Sequence, residues 1–426
     1  MRQPRGRASD SSVLAVGHGV NDLYQGAVPA LLPFLAAAHG WTYLMVGGLT
    51  LAATALSAIT QPLFGWLTDR HHLAWLVPAG TTLAAVGIAL SGPATSYAAT
   101  CAALAVCGLG VAAYHPAAAR LARTAAAGSH RAMSWFVFSG TLGVAIAPLL
   151  VAPTVAMAGL SATLWLLAPA LVMAAVTVHS LPATRRLSAP ATTQPATVSP
   201  PPAEDWAAFR RLTALVVLRS LVTYGLGTFV ALLLNERTGT VVAGQAALLL
   251  LAATGALGTI AGGVLADRHR DRVRLIRNAN ACVVPGLLLI VVLPGWSGLL
   301  GVAVTGVSLY VPFSLHLTLG QDYLPGKVGT ASGVTLGLAV SAGGLAAPAL
   351  GALAQATSLP LAIAALALSP LASLPVLRTM ADPSARATVT RGGPVSGATA
   401  ATGPGRGGAS PATGRRRRTA RESRPR

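Results

Sequence analysis

The chain has 426 residues, 53% of them hydrophobic and only 10% charged, with a net charge of +19 and a mean hydropathy of +0.63. A soluble globular domain carries about a quarter charged residues, so a water-soluble fold is excluded and an all-α integral membrane protein is expected. Eleven of the 30 basic residues lie from Arg378 onward, and most of the others sit in short gaps between apolar runs; that is how topology signals and phospholipid contacts are distributed, not a nucleic-acid-binding face.

Twelve apolar segments approach the roughly 20 residues that a bilayer core demands. They run over 12–36, 43–66, 73–91, 97–119, 132–152, 160–181, 212–234, 242–266, 273–293, 296–319, 328–352 and 358–377. The runs are long and rich in Leu, Ala and Gly, and lack the ten-residue alternation of an outer-membrane barrel. Arg2, Arg5 and Arg7 ahead of an apolar run resemble a signal peptide, but the run is too long and holds Asp22, Pro29 and Pro33, so it is read as a retained first helix.

That first segment carries His18, Asn21, Asp22 and Gln25. Their spacing puts all four on one helical face. Asp22 falls near the bilayer midplane, where a charge costs at least about 2.5 kcal/mol. It must therefore face a wet cavity and be paired or protonated, which makes Asp22 and His18 candidates for proton coupling and Asn21 and Gln25 candidates for substrate binding. Histidine titrates near neutrality without special tuning.

After the second segment come Gly65, Asp69 and Arg70, and after the eighth come Gly263, Asp267 and Arg268. The two Asp residues are 198 positions apart. Tyr114-x-Pro116 is answered by Tyr310-x-Pro312 at an offset of 196, and Gly143 and Pro148 by Gly343 and Pro348 at 200. Three pairs at nearly one offset indicate a duplicated six-helix unit. In the fourth segment, Tyr114 and His115, candidates for substrate binding, precede a proline that weakens the helix, with Arg120 and Arg123 beyond. His115 fits substrate access or gating as well as a structural kink, and His316 lies at similar depth in the tenth segment.

Residues 182–207 are rich in Pro, Thr, Ser and Ala and read as a linker between the halves. Domains are expected at 1–11 (tail), 12–181 (first bundle), 182–207 (linker), 208–379 (second bundle) and 380–426 (disordered basic tail). With the N-terminus inside, the inner loops hold fourteen Arg or Lys and the outer loops one, Arg237. Both termini are then cytoplasmic. Arg219, in the seventh segment, follows Asp22 by 197 positions. It is either the partner of Asp22 or the binder of an anionic substrate, since a guanidinium grips phosphate or carboxylate as a fork.

The six-plus-six arrangement, the central linker and the repeated Gly-x-x-x-Asp-Arg resemble the major facilitator superfamily. The stretches "GHGVNDLYQG", "QPLFGWLTDR", "GLGVAAYHPAAARLAR" and "LPGKVGTASG" resemble its fosmidomycin-resistance branch. Where the family loop usually continues Gly-Arg-Arg, this chain has His71-His72 and His269-Arg270. The resemblance implies twelve helices in two pseudo-symmetric bundles, and a gating latch at Gly65, Asp69, Arg70, Gly263, Asp267 and Arg268, joined by Arg120. It also implies a proton-driven exporter of small molecules, sometimes a drug pump. The alternatives are a proton-coupled importer of a sugar or organic acid, and a non-transporting membrane sensor. No nucleophile triad, metal cluster or Walker loop appears, so neither an enzyme, a cofactor nor a metal is expected. The expected partners are a small-molecule substrate, protons and the phospholipid bilayer, with the chain acting as a monomer in an inner membrane.

Overall fold

The computed structural model describes residues 5–71, 73–126, 130–187, 204–268, 271–325 and 327–383. The side chains of Asp69, Arg123 and Asp267 also lie outside the description, as do most of the expected linker and nearly all of the basic tail.

Among the described residues every long element is a helix. The first half comprises α1 (Arg5–His39), α2 (Tyr43–Arg70), α3 (Leu76–Ser91), α4 (Tyr97–Ala126), α5 (His130–Ala158) and α6 (Leu167–Leu187), the last entered through a 3-10 turn at Leu160–Leu166. The second comprises α7 (Trp206–Thr238), α8 (Val241–Arg268), α9 (Arg272–Val292), α10 (Gly298–Tyr323), α11 (Val328–Ala356) and a final span made of α12 (Leu359–Ala365) and α13 (Leu368–Arg378). Nine stretches among the described residues are long and apolar enough to cross a bilayer; α1, α3 and α11 complete the twelve, in two pseudo-symmetric bundles of six.

Capping sets several boundaries. Asp205 accepts from the Ala208 N–H at 2.9 Å, so α7 opens at Trp206 rather than at 212, and Arg210 and Arg211 join the helix. Gly239, at φ 69°, closes α7 in the left-handed conformation. Pro116 does not end α4, which runs on to Ala126. The chain stays docked past the expected end of the second bundle: Asp382 is buried and grips Arg272 through two guanidinium hydrogen bonds of 2.8 and 2.9 Å.

Glycine lets the helices nearest the pseudo-axis touch. A Cβ on Gly143 in α5 would strike the Gly19 carbonyl of α1, and one on Gly343 in α11 would strike the Ser220 carbonyl of α7. The repeated glycines therefore do the same job in each half. The register follows: Gly19 corresponds to Ser220, and so His18, not Asp22, corresponds to Arg219.

The buried cores show how the halves meet. One cluster joins the far half of α1 (Leu23 to Leu35) and the start of α2 to the far half of α7 and the start of α8. The cross-half hydrogen bonds lie there too, with Tyr43 donating to Glu236, Thr50 facing Thr228 at 3.0 Å, and Gln245 donating to the Ala30 carbonyl at 2.9 Å. At the opposite end each half has a core of its own, one around Tyr114 and Leu121, the other around Phe209 and Tyr323. The halves are sealed at one end only.

Gly65 and Gly263 have open space where a Cβ would stand, so neither glycine mediates a close helix approach in this conformation. Both lie at the end where the halves have separate cores.

Candidate functional site

Asp22 is the central residue of the 35-residue α1 and is 8% exposed. One turn back, His18 Nε2 lies 3.3 Å from Asp22 Oδ2; from α4, His115 Nε2 lies 3.1 Å from Oδ1. Asn21, fully buried, donates to Asp22 Oδ1 at 3.2 Å. The two histidine rings meet edge to face, with centroids 5.4 Å apart. The acid is therefore clasped from two helices of the first half.

The backbone fixes the imidazole orientation. His18 Nδ1 lies 2.6 Å from the Phe136 carbonyl, and His115 Nδ1 lies 2.9 Å from the Val111 carbonyl. A carbonyl can only accept, so each Nδ1 carries a hydrogen. In a neutral ring the remaining nitrogen is then a bare lone pair. Both Nε2 atoms would present lone pairs to carboxylate oxygens that also only accept. With Asp22 ionised, the observed contacts become hydrogen bonds only when Nε2 is protonated as well.

Packing holds the rings in place. His18 stacks on Phe136 with centroids 4.2 Å apart, and lies nearly parallel to Tyr114 at 6.1 Å. Gly140 closes the site from α5: a Cβ there would stand 2.6 Å from both Asp22 Oδ2 and His18 Cε1. His18, Asp22 and His115 also have their donor atoms within 4.8 Å of one another, a composition able to hold a divalent ion.

Several expected residues take different places. His115, read as an access or gating residue, is a direct partner of Asp22. Tyr114 is 0% exposed and sits behind His18, so it has no face toward a substrate in this conformation. Asn21 supports the carboxylate. Gln25 lies beside Tyr224 of α7, facing the other half. Arg120 is partly buried on α4. Arg70 stacks over Trp66 at 4.2 Å, and Arg268 is exposed at the end of α8.

Asp22 and Arg219 do not pair. Arg219 turns into its own bundle, where Nη1 donates to the Leu309 carbonyl at 3.1 Å, and the guanidinium lies over Phe313 at 5.1 Å and Tyr310 at 5.7 Å. Phe136, Tyr224 and Phe313 are not among the expected site residues, because an aromatic ring within an apolar run carries little signal of its own. The Tyr114/Tyr310 repeat was their nearest signal.

The sequence profile of the Major Facilitator Superfamily matches residues 14–348. The chain belongs to the major facilitator superfamily. Members of this superfamily are transporters, and the chain is a multi-pass membrane protein of the secondary-transporter kind. It is 29% identical over 367 residues to the fosmidomycin resistance protein of Escherichia coli (strain K12), covering 84% of this chain and 89% of that one. It is also 29% identical over 371 residues to the uncharacterized MFS-type transporter YfnC of Bacillus subtilis (strain 168), with the same coverage. Among solved structures, a bacterial homolog of the human lysosomal transporter Spinster, inward-facing and occupied, superposes with a TM-score of 0.68 at 16% identity, over 88% of this chain and 96% of that one. A point mutant of the nucleoside transporter NupG superposes with a TM-score of 0.68 at 12% identity, over 86% of this chain and 98% of that one. These structural likenesses concern the fold.

Proposed function

We propose that this superfamily member is a proton-coupled exporter of a small molecule, with His18, Asp22 and His115 as its proton-binding unit. The observation that carries the reading is the pair of Nε2 atoms aimed at one buried carboxylate, with both Nδ1 atoms already committed to carbonyls. Such a unit has two charge states that differ strongly in a low-dielectric site. Protonation can therefore bias a conformational equilibrium, because only a differential interaction shifts one. Gln25, on the same face of α1, lies beside Tyr224 of the opposite half, placing the cluster next to the bundle interface.

The distribution of basic residues favours placing the start of α1 in the cytoplasm of a bacterial inner membrane. The sealed end of the molecule is then the outer end, and the conformation is inward-facing. In the cycle, substrate binds from the cytoplasm, the halves rock about the midplane, and protons entering from outside replace the substrate before the return. The chain acts as a monomer in the bilayer. The domain limits at 12–181 and 208–379, and a latch at Gly65, Asp69, Arg70, Gly263, Asp267, Arg268 and Arg120 that closes the cytoplasmic end in the other state, belong to this reading.

The fosmidomycin resistance protein among the relatives favours export of an antibiotic-like compound. The test is accumulation in a susceptible bacterium expressing the chain. Fosmidomycin should be held below the level in control cells, and a protonophore should abolish the difference. Equal accumulation with and without the chain would count against this substrate. A difference that survives the protonophore would count against proton coupling.

A further inference from the structure

Arg219 is a partly buried cation for which the described residues supply no anion. Its Nε is buried without a hydrogen-bond partner, and Nη1 is taken up by the Leu309 carbonyl. The Nε edge of the fork, the edge that receives a carboxylate or phosphate in a bidentate pair, is left without a protein acceptor. Beside it stands His316, 4% exposed, with neither ring nitrogen hydrogen-bonded. Arg219 and His316 together line two adjoining pockets; one adds Asn280 and Ser308, the other Phe313 and Thr335. Among the described residues no carboxylate lines either.

The chain's acids can be followed one by one. There are eleven. Asp22 holds His18 and His115, and Glu204 holds Lys327 and Trp206. Asp205 and Asp271 cap α7 and α9, Glu236 accepts from Tyr43, and Asp322 and Asp382 clasp Arg272. The side chains of the other four, Asp10, Asp69, Asp267 and Glu422, lie outside the description. Asp69 and Asp267 belong to the last turns of α2 and α8, and Asp10 to the first turns of α1. A guanidinium so placed is costly unless paired.

We propose that Arg219 and His316 form a binding site for an oxoanion group, a phosphonate, phosphate or carboxylate carried by the ligand itself. The Leu309 carbonyl and the faces of Phe313 and Tyr310 hold the guanidinium plane, so its open edge is pre-oriented, and His316 offers a second donor from α10. The site deepens the transport reading by giving the substrate class, and it rests on that reading only in calling the ligand a substrate. Anion binding itself is independent of transport.

The test is equilibrium binding to the purified full-length protein in detergent at constant ionic strength. The probes are inorganic phosphate, methylphosphonate and acetate, with dimethyl methylphosphonate as the uncharged control and dioctanoyl phosphatidic acid as the lipid form of the same group. Calorimetry and thermal shift provide the readouts. The expected result is saturable binding of at least one charged probe and none of the neutral ester. Binding should weaken at least tenfold in Arg219→Gln and measurably in His316→Ala, and should persist in the exposed-site control Arg277→Gln. Arg219→Lys keeps the charge but loses the fork and should fall between. Should Arg219→Gln not fold, Arg219→Lys and His316→Ala carry the test. Binding of the phosphatidic acid alone, lost in the same variants, would assign the group to a lipid headgroup. Absence of saturable binding by any charged probe, or equal binding in wild type and the Arg219 and His316 variants, would overturn the proposal. Proton-coupled transport found without such binding would overturn this inference and leave the transport reading intact; binding without transport would do the reverse.

Discussion

Asp22 of α1 and His115 of α4 meet at 3.1 Å across the interior of the first bundle. The contact ties the central acid to a second helix of the same half, and it uses a nitrogen that must be protonated to donate. His115→Gln keeps a donor in place but cannot gain charge. Substrate-linked proton uptake should drop by at least tenfold in this variant, with insertion and monodispersity unchanged. Uptake at the wild-type level would remove His115 from the proton-binding unit.

Gly140 leaves no room for a methyl group against this cluster. Its added Cβ would stand 2.6 Å from Asp22 Oδ2. Gly140→Ala should therefore push the carboxylate from its histidines, lower stability by about 1–3 kcal/mol, and reduce transport at least tenfold. Thermal unfolding in detergent and uptake in vesicles measure the two effects separately. An alanine variant with normal activity would mean that the packing is looser than the geometry requires.

The Arg272–Asp382 pair anchors the segment that follows α13. Asp382 has no exposed side-chain surface, and its two oxygens accept from Arg272 Nε and Nη2. Removing Asp382 leaves Arg272 only the half-exposed Asp322, and breaking a fully buried pair costs about 3–5 kcal/mol. Asp382→Ala should lower the thermal midpoint clearly, while deletion of residues after 383 should not.

The sealed end gives a direct trap for the conformational cycle. Thr50 and Thr228 face one another across the halves, with hydroxyls 3.0 Å apart. With the three native cysteines replaced, a Thr50→Cys, Thr228→Cys double variant should cross-link under mild oxidation and stop transport, and a reductant should restore it. Unimpaired transport in the cross-linked form would show that this end does not need to open.

Much of this was legible in the sequence. Twelve apolar runs gave twelve spans, because the bilayer sets helix length directly. The polar face of α1 was legible because His18, Asn21, Asp22 and Gln25 share one helical face. The pairing of Asp22 was not, since it depends on how α4 crosses α1 and on which backbone carbonyls face the rings. Depth alone matched Asp22 to Arg219, yet packing matches His18 to Arg219. The repeat offset is 201 for α1 and α7 but 196 for the Tyr114 and Tyr310 pair, because connecting segments differ in length between halves. Asp382 was read as tail because its Gly- and Arg-rich neighbours mask a single buried contact.

The most direct test of the central claim is proton flux in liposomes containing the purified chain, with an imposed pH gradient and fosmidomycin as the first compound of a panel. Substrate-dependent proton movement is expected in the wild type, reversing with the gradient, and is expected to vanish in Asp22→Asn while the variant still inserts. Proton movement that persists undiminished in Asp22→Asn would contradict the account.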